Sequence, residues 1–290
     1  MRRFSSCFRG AAVATLLAAL SWAPAVAGKR IAFLKLTDPF WQVWVMDAGG
    51  GGATQVTRSA RDKMRVSWFP DGRRIVYNAT PGELWIADLK TLQETRIPID
   101  MEGMTDGIVS PDGAWIAFSA SIGGGVDNND IWIVRPDGSG VRRLTDEKGL
   151  QHYPCWSAGG ETLYYLSGEG KDDHDIMSLE IATGSSTQIT AGSRYHFDLA
   201  VSSGGLMAFS SNRTGDYDLW IAGSDGGAER TLVPAPGLDG LPSWSPDGSW
   251  ILFTSMREGS PALWRVRPDG SGLKRLTKSN ARARGGVWEP

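Results

Sequence analysis

The chain has 290 residues, 30 basic and 32 acidic side chains, a net charge of −2 and only two cysteines. That near-balance argues against a nucleic-acid partner. Cysteine number alone leaves room for one internal disulfide at most.

The first segment removes even that. Arg2, Arg3 and Arg9 precede an apolar run over residues 10–20, and Ala25-Val26-Ala27 follows as a small-residue cleavage site. The pattern reads as a secretory signal peptide over residues 1–27, exported and removed. The run is too short to span a membrane comfortably. Cys7 lies ahead of the run rather than at the cleavage site, which argues against a lipid anchor, and the surroundings of Arg2-Arg3 fit a twin-arginine signal poorly. Cleavage leaves 27 basic against 32 acidic residues, no membrane-spanning stretch, and Cys155 alone, expected as a small buried thiol.

The remainder, residues 28–290, is a repeat. The first unit offers strands over 30–35, 43–46 and 53–57, without a preceding partner. From there on, apolar pairs recur at Val43-Trp44, Leu84-Trp85, Ile131-Trp132, Ile176-Met177, Leu219-Trp220 and Leu263-Trp264. Twenty-four residues after the second member of each pair stand Trp68, Val109, Trp156, Val201, Trp244 and Trp288. Another strand ends in an aromatic residue in every unit: Phe33, Tyr77, Phe118, Tyr165, Phe209 and Phe253. Each run is of strand length and bounded by glycine or proline. A repeat of about 40–50 residues built this way is the signature of a β-propeller.

Turn chemistry explains the punctuation. In Ser245-Pro246-Asp247-Gly248, Pro presets φ, Asp bonds back to local amides and Gly takes the left-handed position. Asp71 and Asp112 stand in equivalent turns, so turn geometry rather than catalysis accounts for these aspartates. Length variation falls in the loops between the second and third strands, where insertions are tolerated. The C-terminus supplies a lone first strand at 285–288, the one the N-terminal unit lacks. The expected fold is therefore all-β: a six-bladed propeller, four antiparallel strands per blade, with one blade closed by both termini.

The segments at 243–255 (Ser-Trp-Ser-Pro-Asp-Gly-Ser-Trp-Ile-Leu-Phe-Thr-Ser) and 209–220 (Phe-Ser-Ser-Asn-Arg-Thr-Gly-Asp-Tyr-Asp-Leu-Trp) resemble the TolB-like propeller repeat of bacterial periplasmic proteins. The resemblance covers essentially all of the chain after the leader. It implies a periplasmic location, part in envelope integrity or transport, and a protein-binding channel mouth. TolB carries an α/β domain ahead of its propeller; here the propeller begins near the cleavage site, so a stand-alone, monomeric propeller is expected. Related propellers precede prolyl-oligopeptidase-type hydrolases, but no Gly-x-Ser-x-Gly elbow occurs.

Residues just ahead of each inner strand are expected to ring one channel mouth: Arg65, Asp106, His152, Tyr153, His196, Asp198, Asp239 and Arg284, with Lys63, Met104, Gln151 and Arg282 beside them. Concave mouths of this kind favour ligands. The leading expectation is a non-catalytic module that binds an envelope protein or peptide segment there. The alternative is an enzyme acting on carbohydrate or peptide through the histidines and carboxylates. His152 and His196 are metal-ligand types, but hydrogen-bonding histidines at strand starts are the simpler reading, and no metal or other cofactor is expected. The acidic runs at 127–130 and 172–175 suit calcium in composition. They lack the Asp-x-Asp-x-Asp-Gly spacing and distal Glu of a calcium loop, and read as solvated turns.

Overall fold

The computed structural model describes residues 30–121, 128–170, 173–191 and 196–290. The leader expected over residues 1–27, and Asp127 and Asp172 of the two acidic runs, lie outside them.

Twenty-four strands form six four-stranded antiparallel sheets. In blade one the innermost strand is the C-terminal Ala283–Trp288, followed outward by Arg30–Thr37, Phe40–Asp47 and Thr54–Gln55. The two termini pair directly, Ile31 opposite Trp288 and Lys35 opposite Ala283. Blades two to six take their inner strands, in order, from Lys63–Trp68, Thr105–Val109, Leu150–Trp156, His196–Val201 and Asp239–Trp244. Each inner strand contacts that of the next blade, and Ala283–Trp288 contacts both Asp239–Trp244 and Lys63–Trp68, so the ring is closed. The outermost strand of blade one has two residues where the sequence suggests five; a short outer strand limits the unpaired edge offered to other chains.

Six core clusters sit between neighbouring blades, which explains why the second strands carry unbroken apolar runs. In Arg30–Thr37, alternate residues point to opposite faces. Ala32 and Leu34 pack towards blade two with Val66 and Tyr77, while Ile31 and Phe33 pack towards blade six with Leu252 and Leu263. A sheet buried on both faces shows no polar alternation. Tryptophans stitch the blades further: the indole N–H of Trp68 donates to Val287 O at 3.2 Å, Trp156 to Ile108 O at 3.3 Å and Trp244 to Ala200 O at 3.2 Å, each across to the preceding blade.

The turns behave as their residues dictate. Asp247 accepts from the Ser249 amide at 3.0 Å, and Gly248 has φ of +69°. Ser245 Oγ accepts the Trp250 amide at 2.9 Å. That serine role persists where Pro and Asp are missing: Ser157 accepts from Thr162 N, and Ser202 from Leu206 N. On the opposite rim, Asp130 and Asp175 each accept the hydroxyl of a threonine, Thr145 and Thr190, that itself caps a strand amide. These two aspartates hold hairpins.

Candidate functional site: the channel mouth

Every inner strand changes register near its start. Lys63 pairs with Ala79 and Val66 with Tyr77, so three steps on one strand meet two on the other, and the same shift recurs around the ring. Each shift is a β-bulge, which twists a strand and re-aims its side chains. Counting back three residues from the 24-residue landmarks gives Arg65, Asp106, Tyr153, Asp198, Leu241 and Gly285. Four of these have left-handed backbone: Asp106 at +58°, Tyr153 at +51°, Leu241 at +52° and Gly285 at +59°. For residues with a Cβ this conformation costs about 1–2 kcal/mol and is found where a fold positions side chains for use.

The bulges divide the expected ring in two. Arg65, Asp106, His152, Tyr153 and Arg284 are half-buried around the opening, whereas His196, Asp198 and Asp239 are buried. His196 and Asp239 occupy the position five before the landmark, as do Lys63, Met104 and Gln151; His152 lies one residue further along. All five of those positions turn into the blades. His196 donates from Nδ1 to His174 O at 2.5 Å and places Nε2 2.9 Å from Arg213 Nη2. Asp239 accepts from Arg257 at 2.6 Å. Lys63 Nζ donates to Ser59 O, Ser59 Oγ and Arg61 O within 2.6–2.8 Å.

Burial sets the protonation of these groups. Desolvation lowers Lys63, with Glu94 opposing it. Desolvation, with the neighbouring His174 and Arg65 adding to it, takes His152 down to about 3; its Nε2 lies 3.1 Å from His174 Nδ1. Asp198 is pushed up to about 7 by burial, against the Leu241 amide that donates to its Oδ2 at 2.7 Å. Its Oδ1 has no hydrogen-bond partner among the described residues. Burial likewise lowers His196 and raises Asp239. Among the described residues no group of three or more His, Cys, Asp or Glu side chains is arranged to hold a metal ion.

What converges on the opening is cationic and aromatic. Arg65, from blade two, crosses to blade four: its guanidinium lies 5.2 Å from the Tyr153 ring centroid, and Nη2 donates to Pro154 O at 3.4 Å. Tyr153 packs edge-on to Phe197 at 5.3 Å, and Phe197 to Tyr217 at 6.2 Å. Arg284 stacks on Trp41 at 4.2 Å. Beyond Arg65, towards the Asp-Gly turns, lies a cavity of about 400 Å³ lined by Trp68, Trp156, Trp244 and Trp288 with Pro70, Pro111 and Pro246. Phe197, Leu241, Tyr217 and Trp41 are absent from the sequence-derived set. Counting back from the landmark would have found Phe197 and Leu241; Trp41 lies at the start of the strand Phe40–Asp47 and Tyr217 precedes Asp218–Gly223, both just after connections of variable length.

A profile of the TolB beta propeller domain matches residues 25–206 and 200–290. The chain belongs to the TolB beta propeller family. The Tol-Pal system protein TolB of Anaeromyxobacter dehalogenans (strain 2CP-C) is 30% identical over 137 residues, which is 46% of this chain and 30% of that protein. An uncharacterized protein of Agrobacterium fabrum is 28% identical over 217 residues, 73% of this chain and 57% of the relative. The chain thus spans between about a third and somewhat over half the length of these relatives. Among solved structures, TolB from Acinetobacter baumannii superposes with a TM-score of 0.78 over 92% of this chain and 69% of the other, at 21% identity. At that identity the likeness speaks for the propeller fold.

Proposed function

We propose that this chain is a non-catalytic interaction module of the bacterial envelope that holds a segment of a partner protein at its channel mouth. The observation that carries the reading is the arc of Arg65, Tyr153, Phe197, Tyr217 and Arg284 around one opening, with Arg65, Tyr153 and Phe197 placed at strand bulges. Aromatic and arginine side chains are the residues that most often dominate protein-binding energy. Bulges in paired strands place Arg65, Tyr153 and Phe197 before a partner arrives, which lowers the ordering cost of binding. Relatives named as Tol-Pal system proteins support an envelope setting, and the leader sequence supports export to the periplasm.

Affinity capture from envelope extracts tests this. The intact protein is compared with a Tyr153→Ala, Phe197→Ala variant of matched thermal stability. Loss of the captured partner in the variant is the expected result. Capture of the same protein at the same affinity by both would place the binding surface elsewhere on the propeller.

A further inference from the structure

The mouth brings together two guanidinium groups that are stacked on aromatic rings and lack an ion pair, a combination that Arg135, Arg265 and Arg267 show away from the mouth. Neither Arg65 nor Arg284 forms an ion pair with any described residue, although nine other arginines do. Each lies over an aromatic ring, Arg65 on Tyr153 and Arg284 on Trp41. Stacking occupies the flat face of a guanidinium and leaves its N–H edge directed elsewhere, for Arg65 partly into the long bond to Pro154 O. The two arginines come from the inner strands of adjacent blades.

Nearby carboxylates are committed to their own surroundings. Asp62 Oδ1 accepts the Trp41 amide at 2.9 Å. Asp106 Oδ2 accepts the hydroxyls of Thr105 and Ser119 at 3.1 and 3.3 Å. Asp198 is 2% exposed, with Oδ2 against the Leu241 amide. None of them reaches either guanidinium closely enough to form an ion pair. Arg284 is half-buried, so its charge is partly stripped of water, and this burial lowers its pKa. A desolvated arginine edge gains most from a planar anion that can take two parallel hydrogen bonds.

We infer that the mouth recognises a carboxylate on the partner segment, an acidic side chain or a free C-terminus, gripped by the edges of Arg65 and Arg284 while Tyr153 and Phe197 take its apolar part. This inference rests on the proposed interaction module and names the chemistry it selects. Approach is from the mouth: the cavity beneath is lined by Arg65 but by neither Arg284 nor Tyr153, so only on the mouth side do both forks meet a ligand.

The test uses the full chain and three fluorescein-labelled peptides: an amidated hexaglutamate, a hexaglutamine with a free C-terminal carboxylate, and an amidated hexaglutamine. Fluorescence polarisation at low salt should show the hexaglutamate, the free-carboxylate peptide, or both binding at least about tenfold more tightly than the amidated hexaglutamine, with affinity falling as salt rises. Which acidic peptide binds distinguishes a side chain from a terminus as the source. The double variant R65Q, R284Q should lose that preference. R135Q should keep it, because Arg135 stacks on Trp115 outside the mouth. Should the double variant fail to fold, R65K and R284K retain the charge and lose the fork; weaker acidic binding in either supports the inference, and unchanged binding in both opposes it. Equal affinity for all three peptides, or a preference that survives R65Q, R284Q, overturns it. If the acidic peptides fail while envelope capture still depends on Tyr153 and Phe197, the carboxylate inference alone falls. If capture is insensitive to Tyr153 and Phe197, the interaction-module reading falls with it.

Discussion

Arg65 of blade two and Tyr153 of blade four meet across the channel, with 5.2 Å between the guanidinium carbon and the ring centroid. The two residues lie in non-adjacent blades, so their contact depends on the ring as a whole holding its diameter. The aromatic ring holds the arginine at the mouth, with a 3.4 Å hydrogen bond to Pro154 O beside it. A cation–π contact of this exposure contributes about 0.5–1 kcal/mol.

Arg65→Ala is therefore expected to lower stability by no more than about 1 kcal/mol while abolishing partner capture. Urea denaturation and envelope capture measured on the same preparation check both halves. A large stability loss would mean that the arginine is a structural strut, and its binding phenotype would then say nothing about recognition.

Ring closure should carry far more stability. Trp288 is 5% exposed, and its strand is the inner edge of blade one, paired with Arg30–Thr37. Deleting residues 285–290 removes this tryptophan, whose loss alone costs about 3–5 kcal/mol, and bares the edge of the second strand. The truncated protein is expected to melt several degrees lower or to aggregate. A melting temperature equal to that of the intact chain would contradict closure by the C-terminal strand.

Asp247→Ala should weaken folding and leave binding alone. The carboxylate accepts from Ser249 N and Oγ and from Ser245 Oγ, all within one turn on the rim away from the mouth. Loss of such local bonds costs about 0.5–2 kcal/mol. A variant of full stability that no longer captures its partner would move the functional surface to the turn rim.

Blade number, strand order and the closing strand were legible in the sequence because repetition multiplies a weak signal. One Ser-Pro-Asp-Gly turn says little, but six aromatic-ended strands at near-constant spacing leave a single arrangement. The mouth was legible only in part. Strand alternation makes an offset of one residue decisive, and an inserted bulge residue, absent from any hydrophobic pattern, changes which side chain faces the channel. His152 and His196 look equivalent when read as strand-start histidines, yet they sit four and five residues before their landmarks. One is half-buried at the opening and the other is buried within the blade, against Arg213 and the His174 carbonyl. Phe197 and Leu241 carried no signal as isolated residues; only their offset from Val201 and Trp244 marks them.

The pH dependence of stability follows from His152 and Asp198, which oppose each other. His152 is held at about 3 in the folded protein against an ordinary 6.5, by burial and by the neighbouring His174 and Arg65. Between those values the unfolded chain takes up a proton that the folded one refuses, so this group makes stability fall as pH drops from 6.5 towards 3. Asp198 is raised to about 7 from 3.8 by burial. Between 3.8 and 7 the folded chain holds the extra proton, so this group makes stability rise as pH falls through that window. The net profile hides both, and single variants separate them. For His152→Gln, the stability advantage of the wild type should be greatest near pH 7 and shrink progressively on acidification below 6.5. For Asp198→Asn, the wild type should compare best near pH 4 and progressively worse as pH rises to 7. Urea denaturation from pH 4 to pH 8 measures both differences, each with a slope of at most about 1.4 kcal/mol per pH unit. A His152→Gln difference that does not change with pH would show that the imidazole titrates normally, and that the His152–His174 contact does not hold it neutral.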